Sequence, residues 1–167
     1  MYNELTKVDI EKMQAELEDR KVNLRHQLLE EVKRCREFGD LSENFEYKEA
    51  KRAKNRNESR IRFLERMIRT ATVIEDTSDE DTVGLYDKVG VYIPEDDEVE
   101  YYRVVTTVRI DLNAGFISKE SPLGKQLLGK HVGDRFTVVV NDQYSYEAEI
   151  RSIEKGEDDG SAGLMEY

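Results

Sequence analysis

The sequence predicts an α+β chain. An N-terminal antiparallel α-helical coiled-coil hairpin precedes a small antiparallel-sheet domain with one short helix. Three observations carry this. Glycine and proline are absent from residues 9–38, where apolar side chains recur at helical spacing. A second run of the same kind begins only a few residues later. From residue 88 onward, short stretches rich in Val, Ile, Tyr and Thr alternate with turn residues. The expected boundaries are 1–74 for the hairpin, 75–82 for an acidic linker, 83–155 for the sheet domain and 156–167 for a disordered tail.

In the first arm the apolar stripe is Ile10, Met13, Leu17, Leu24, Leu28, Val32, Cys35 and Phe38, with most gaps 3, 4 or 7. Asp9 is placed to cap its start, and Gly39 to end it in a left-handed conformation. The second arm runs from about Ser42 to Ala71, with Ala50, Ala53, Asn57, Ile61, Leu64, Ile68 and Ala71 on its stripe. So short a connection makes the two helices antiparallel neighbours. Each arm of about 30 residues spans about 45 Å at ~1.5 Å per residue.

In the second half, residues 88–93, 100–108, 135–140 and 144–153 read as strands, with a turn at Glu95-Asp96-Asp97-Glu98. Ser121 and Pro122 suit the N-cap and first turn of a short helix ending at Gly129. One helix over a small sheet is an α+β arrangement. The acidic, glycine-bearing residues 156–167 show no periodicity.

Composition narrows the function classes. Charged residues make up 38% of the 167-residue chain and apolar residues another 38%, which excludes a single large core. Residues 1–74 carry 17 basic and 15 acidic side chains, whereas residues 75–167 carry 9 and 22. With a net charge of −11, any contact with nucleic acid must rest on a local patch. There is no basic-then-apolar leader pattern and no run of roughly 20 uncharged apolar residues. A soluble, monomeric, cytoplasmic protein without membrane contact is the expectation. Cys35 alone forms no internal disulfide, and with only His26 and His131 it makes no zinc site. Neither histidine has an evident Ser or Cys partner for nucleophilic catalysis, and both read as surface residues.

Two features are left for chemistry. At the turn between the arms, Asp40, Glu43 and Glu46 recur every three residues. Asp40 and Glu43 have the spacing of a capping box, in which each satisfies an amide of the other's segment. The same two carboxylates, ionised and carried at the end of a narrow hairpin, are hard oxygen ligands of the kind Mg²⁺ prefers. Two acids alone would bind that ion poorly, so they would complete a site that a partner half-owns. The second feature lies between Tyr47 and Arg69, where nine basic residues face three acids. Lys48, Lys51, Arg52, Arg62, Arg66 and Arg69 lie opposite the apolar stripe at about 100° per residue. This face reads as phosphate contact with RNA or with an acidic channel wall, or as a solvated surface.

Gly39-Asp40-Leu41-Ser42-Glu43-Asn44-Phe45-Glu46-Tyr47 with Ala50-Lys51 resembles the signature of the GreA/GreB transcript cleavage factors of bacterial RNA polymerase. A second stretch resembles that family's C-terminal FKBP-like domain. It comprises Gly115-Phe116-Ile117-Ser118, Ser121-Pro122-Leu123-Gly124-Lys125-Gln126-Leu127-Leu128-Gly129-Lys130 and Val132-Gly133-Asp134. The resemblance implies a transcription elongation factor that is not an enzyme alone. Its coiled coil enters the polymerase secondary channel and stimulates Mg²⁺-dependent cleavage of backtracked nascent RNA at the 3′ end. Carried over by position, Asp40 and Glu43 would be the catalytic acids, holding a Mg²⁺ shared with the polymerase and orienting water. Leu41, Ser42, Asn44 and Tyr47 would shape the tip. Ile117, Ser118, Ser121, Pro122 and Leu123 are the expected polymerase-docking residues. An anti-cleavage or channel-blocking regulator of the same fold, or a non-catalytic coiled-coil adaptor, are the alternatives. Residues 54–59 depart from the Gly and aromatic residues many relatives carry there, which leaves the subfamily open.

Overall fold

The computed structural model describes residues 2–37 and 44–166. The chain forms two compact units: Ile10–Ala71 is one, and the residues on either side of it together make the other. The first is helical. Helix α1 (Lys7–Asp19) passes through a π turn at Arg20–Leu24 into α2 (Arg25–Arg36), and α3 (Phe45–Thr70) packs against α2. The seam follows the predicted stripe on both arms: Val32, Cys35, Ala50, Ile61 and Leu64 are buried. Ala50 is the small residue that lets α2 and α3 approach, and Val32 and Cys35 pack against it. The predicted N-cap needs correcting. Thr6, not Asp9, caps α1: Asp9 N–H donates to Thr6 Oγ1 at 3.2 Å, and Thr6 N–H donates to Asp9 Oδ2 at 2.9 Å. Asp9 is thus the third-position acid of a reciprocal capping box.

The sheet unit begins with β1 (Glu4–Leu5), which pairs in parallel with β2 (Thr72–Val73). Residues 2–9 and 72–74, expected in the hairpin domain 1–74, therefore belong to the sheet unit. The cause is burial: Leu5 has no exposed surface, and Asp9 is locked into the ion cluster described below. Five further strands follow: β3 (Lys88–Ile93), β4 (Glu98–Val105), β5 (Phe116–Ser118), β6 (Arg135–Asn141) and β7 (Tyr144–Glu154). Their order is β5-β4-β3-β7-β6. Three of the four pairings are antiparallel, but β4 and β5 run parallel, with Arg103 opposite Phe116 and Val105 opposite Ser118. The expected all-antiparallel sheet is therefore mixed. The change follows from the short 3₁₀ turns at Thr107–Arg109 and Leu112–Ala114, which return the chain to run beside β4 in the same direction. This mixed order does not establish the FKBP-like topology that the resemblance implies.

Alternation sets the core. Val89 and Val91 on β3, Phe136 and Val138 on β6, and Ala148 and Ile150 on β7 face one side. The single short helix α4 (Pro122–Leu127) closes that side with Leu123 and Leu127. Each such aliphatic side chain contributes roughly 1.5–3 kcal/mol on burial.

One buried ion cluster organises the rest of this unit. Arg109 has no exposed surface. Its guanidinium reaches Asp9 Oδ1 at 3.1 Å and both carboxylate oxygens of Asp158 at 2.9 Å, and Thr106 Oγ1 donates to Asp9 Oδ2 at 2.7 Å. The expectation of a disordered tail at 156–167 is corrected at Asp158, which supplies a counter-charge that the interior requires. Further along, Met165 N–H donates to Val108 O at 2.7 Å. The segment expected as a linker is irregular but pinned: Lys155 Nζ donates to Ser78 Oγ, Asp79 O and Thr82 O at 3.0 Å each.

Candidate functional site at the end of the hairpin

Asp40, Glu43, Leu41 and Ser42 lie outside the described residues, so the site is built from what flanks them. On one side α2 ends with Glu37, whose N–H donates to the carbonyls of Arg34 and Cys35. On the other, Asn44 does two jobs. Its Oδ1 accepts from Tyr47 N–H at 3.0 Å, capping α3, and its Nδ2 donates to Cys35 O at 3.0 Å, satisfying a terminal carbonyl of α2. One amide side chain thus ties the two arms at the base of the turn. The second helix, expected from about Ser42, begins at Phe45 with Asn44 as its cap.

Beneath this tie lies a small apolar cluster of Val32, Cys35 and Ala50, with Tyr47 packed on it. Tyr47 is further held by Arg36, whose guanidinium carbon lies 5.8 Å from the ring centroid. A hydrogen bond from Arg36 holds the Tyr47 hydroxyl below the usual phenol range. Burial pushes the Cys35 thiol up, which keeps it protonated and unreactive. Asn44 and Tyr47 thus join the facing ends of α2 and α3, and Arg36 is a third contributor that sequence reasoning missed. Its signal was present in the spacing of a cation and an aromatic residue on facing helix ends.

All six basic residues singled out on the second arm (Lys48, Lys51, Arg52, Arg62, Arg66 and Arg69) are exposed on α3. Arg56 is exposed on the same helix and was not singled out. Some of this charge is locally engaged. Arg52 pairs with Glu49 at 2.7 Å, Arg62 donates to Ser59 Oγ at 3.0 Å, and Arg66 lies 5.7 Å from the centroid of Phe63. These contacts are solvated and cost little to exchange for a phosphate. The basic residues that point inward are different ones. Arg60 is buried and holds Glu16 through two hydrogen bonds of 2.8 and 3.2 Å, and Arg25 holds Glu58 at 2.7 and 3.0 Å.

The five docking candidates separate. Ile117 and Leu123 are buried in the core of the sheet unit, which corrects their placement on a contact surface: β5 alternation and the inner face of α4 both turn them inward. Ser118 and Ser121 are spent on the turn. Ser121 Oγ accepts from Gly124 N–H at 3.0 Å and donates to Ser118 O at 2.7 Å, and Ser118 Oγ accepts from Glu120 N–H at 3.0 Å. Gly124 is obligatory here, because a Cβ would stand 2.1 Å from Ser118 O. Of the five, Pro122 is exposed.

Among the described residues, no three His, Cys, Asp or Glu side chains cluster as a metal site. No helix among them is long and apolar enough to cross a membrane.

The chain is similar to proteins of one known family. Residues 3–73 match the family described as "Transcription elongation factor, N-terminal", and residues 78–155 match "Transcription elongation factor, GreA/GreB, C-term". The chain is 37% identical over 150 residues to "Transcription elongation factor GreA" of Staphylococcus carnosus, covering 90% of this chain and 94% of that protein. It is 44% identical over 135 residues to the protein of the same name from Geobacillus kaustophilus, covering 80% and 85%. Among solved structures, "Crystal structure of GreA factor homolog 1 (Gfh1) protein of Thermus thermophilus" matches with a TM-score of 0.41 and 27% identity, covering 91% of this chain and 98% of that one. The chain belongs to the GreA/GreB family of transcription elongation factors.

Proposed function

We propose that this factor binds RNA polymerase, inserts its hairpin into the secondary channel and lends Asp40 and Glu43 to the polymerase active site, where backtracked nascent RNA is cleaved near its 3′ end. The observation that carries this reading is the cap of α3. Helix capping was the structural duty open to Asp40 and Glu43, and Asn44 performs it at the first turn of that helix. The N-cap of α3 therefore does not draw on either acid.

The donor set fits a shared Mg²⁺. Carboxylates are hard oxygen ligands, and two of them leave most of an octahedral shell to phosphate oxygens, water and the partner's own acids. When bound, that ion would stabilise charge on the reacting phosphodiester. The chain's own part is positional. Asn44 and Tyr47 hold the base of the turn, Asp40 and Glu43 orient the attacking water, and the exposed cations of α3 meet the extruded RNA or the channel wall. The factor works as an accessory to the polymerase and has no activity of its own.

The test is release of short 3′ fragments from a backtracked elongation complex made with the source organism's polymerase. Asp40→Ala and Glu43→Ala are expected to lose stimulation by at least 10²-fold, in the range of removing a group that acts only in the transition state. Both should still compete with the wild type for the polymerase. Normal cleavage by both variants would overturn the assignment.

A further inference from the structure

The first arm of the hairpin contains an irregularity that the function above does not use. Over Arg20–Leu24 the helix opens to a π turn, and Arg25 N–H donates to Arg20 O five residues back. The loosened Arg20 carbonyl also accepts from Asn57 Nδ2 on the opposite arm at 3.4 Å. In return, Arg20 Nη1 donates to Asn57 Oδ1 at 3.0 Å. Asn57 is buried, with only 3% of its surface exposed, and is the polar member of a stripe otherwise made of Ala, Ile and Leu. The contact is anchored on its other side. Glu16 Oε1 accepts from Arg20 Nε and from Arg60 Nε, both at 2.8 Å, so four polar side chains from two arms close one network.

A polar residue at one core position of a coiled coil is the best-attested device for selecting a single register. If α3 slid by one turn, Ala53 or Ile61 would stand where Asn57 stands. The guanidinium of the half-buried Arg20 would then face an apolar side chain.

We propose that Asn57 and the Arg20–Leu24 π turn form a register lock that fixes the axial stagger of the two arms, and with it the position of the tip acids. Asn57 and Arg20 are positioning residues. The inference rests on the proposed role of Asp40 and Glu43 for its functional consequence, while its structural claim can be tested without it.

The experiment measures the inter-arm distance in the free full-length protein. Spin labels would be placed at Glu30→Cys and Arg56→Cys, both exposed sites, in a Cys35→Ala background. The parent should give one narrow distance by pulsed dipolar spectroscopy. Asn57→Leu should add a second population displaced by a few ångström, the projection of a one-turn slip of ~5.4 Å. Arg20→Met removes the same contact from the other arm and should give the same second population, so the result does not depend on one variant folding well. Unlabelled Asn57→Leu should lose cleavage stimulation by at least tenfold, as ångström-scale misplacement does, and still compete for polymerase. A single unchanged distance in both variants would overturn the lock. A second population with full cleavage would overturn its link to the tip. Normal cleavage by Asp40→Ala and Glu43→Ala would remove the proposed function yet leave the distance result standing.

Discussion

Arg109 and Asp9 have no exposed surface, and removing Arg109 leaves the Asp9 carboxylate buried without its cation. Replacing one member of such a pair is expected to cost about 3–5 kcal/mol. Arg109→Met should therefore lower the urea midpoint markedly. Asp158→Asn should cost less, because Asp9 still neutralises the guanidinium. If the two variants unfold at the same urea concentration, the cluster is not organised around Arg109. Asn44 has smaller stakes in stability and larger ones in geometry. Asn44→Ala removes a cap and leaves Cys35 O without its side-chain donor, for an expected loss of about 1 kcal/mol in thermal or chemical unfolding. None of these partners was legible from sequence. Asp9 and Arg109 stand 100 residues apart, and no local pattern announces that a cation will be buried.

At the level of elements, the hairpin carries its own pH dependence. Burial raises the Glu16 carboxyl, but hydrogen bonds from Arg60 and Arg20 outweigh this and hold it below the usual carboxylate value of 4.5. A group whose folded value is depressed contributes stability that is present above its unfolded value. That stability is lost as pH falls through the folded value. Helicity of the hairpin unit should therefore weaken as pH drops below about 4.5, and Glu16→Gln should remove that part of the acid sensitivity. Acid melting followed by circular dichroism checks the sign: greater acid sensitivity in Glu16→Gln would contradict it. The short helix α4 is constrained in a different way. A methyl group at Gly124 meets the Ser118 carbonyl, so Gly124→Ala must move backbone rather than a side chain. The expected cost is about 1–3 kcal/mol, read as a lower urea midpoint.

For the whole molecule, residues 156–166 are an integral part of the sheet unit. A chain ending at Lys155 loses the Asp158 pair with Arg109 and the Met165 bond to Val108, and should melt several degrees lower while keeping its helical signal. An unchanged melting temperature would show that the tail carries no load. The net charge of −11 describes no actual surface, since α3 exposes a run of cations. Both arms of the hairpin, their apolar stripes and the exposure of Lys48, Lys51, Arg52, Arg62, Arg66 and Arg69 were readable in advance, because helical period is a local property of the chain. So were strands β3, β6 and β7, which draw on Val, Ile, Tyr and Thr. Three things were not. The parallel edge strand β5 is three residues long and carries no periodic signal. Ile117 and Leu123 face inward only because β5 and α4 share a core. The Asn57–Arg20 tie needs two arms in contact before either residue has a partner. Local pattern settled the two helical arms, strands β3, β6 and β7, and the apolar face of each arm. Tertiary structure alone decided which buried charges meet, where the N-terminal segment and the tail attach, and which register the hairpin holds. The physical reason is that period and propensity act over a few residues, whereas a buried polar group is satisfied by whatever distant partner the fold delivers.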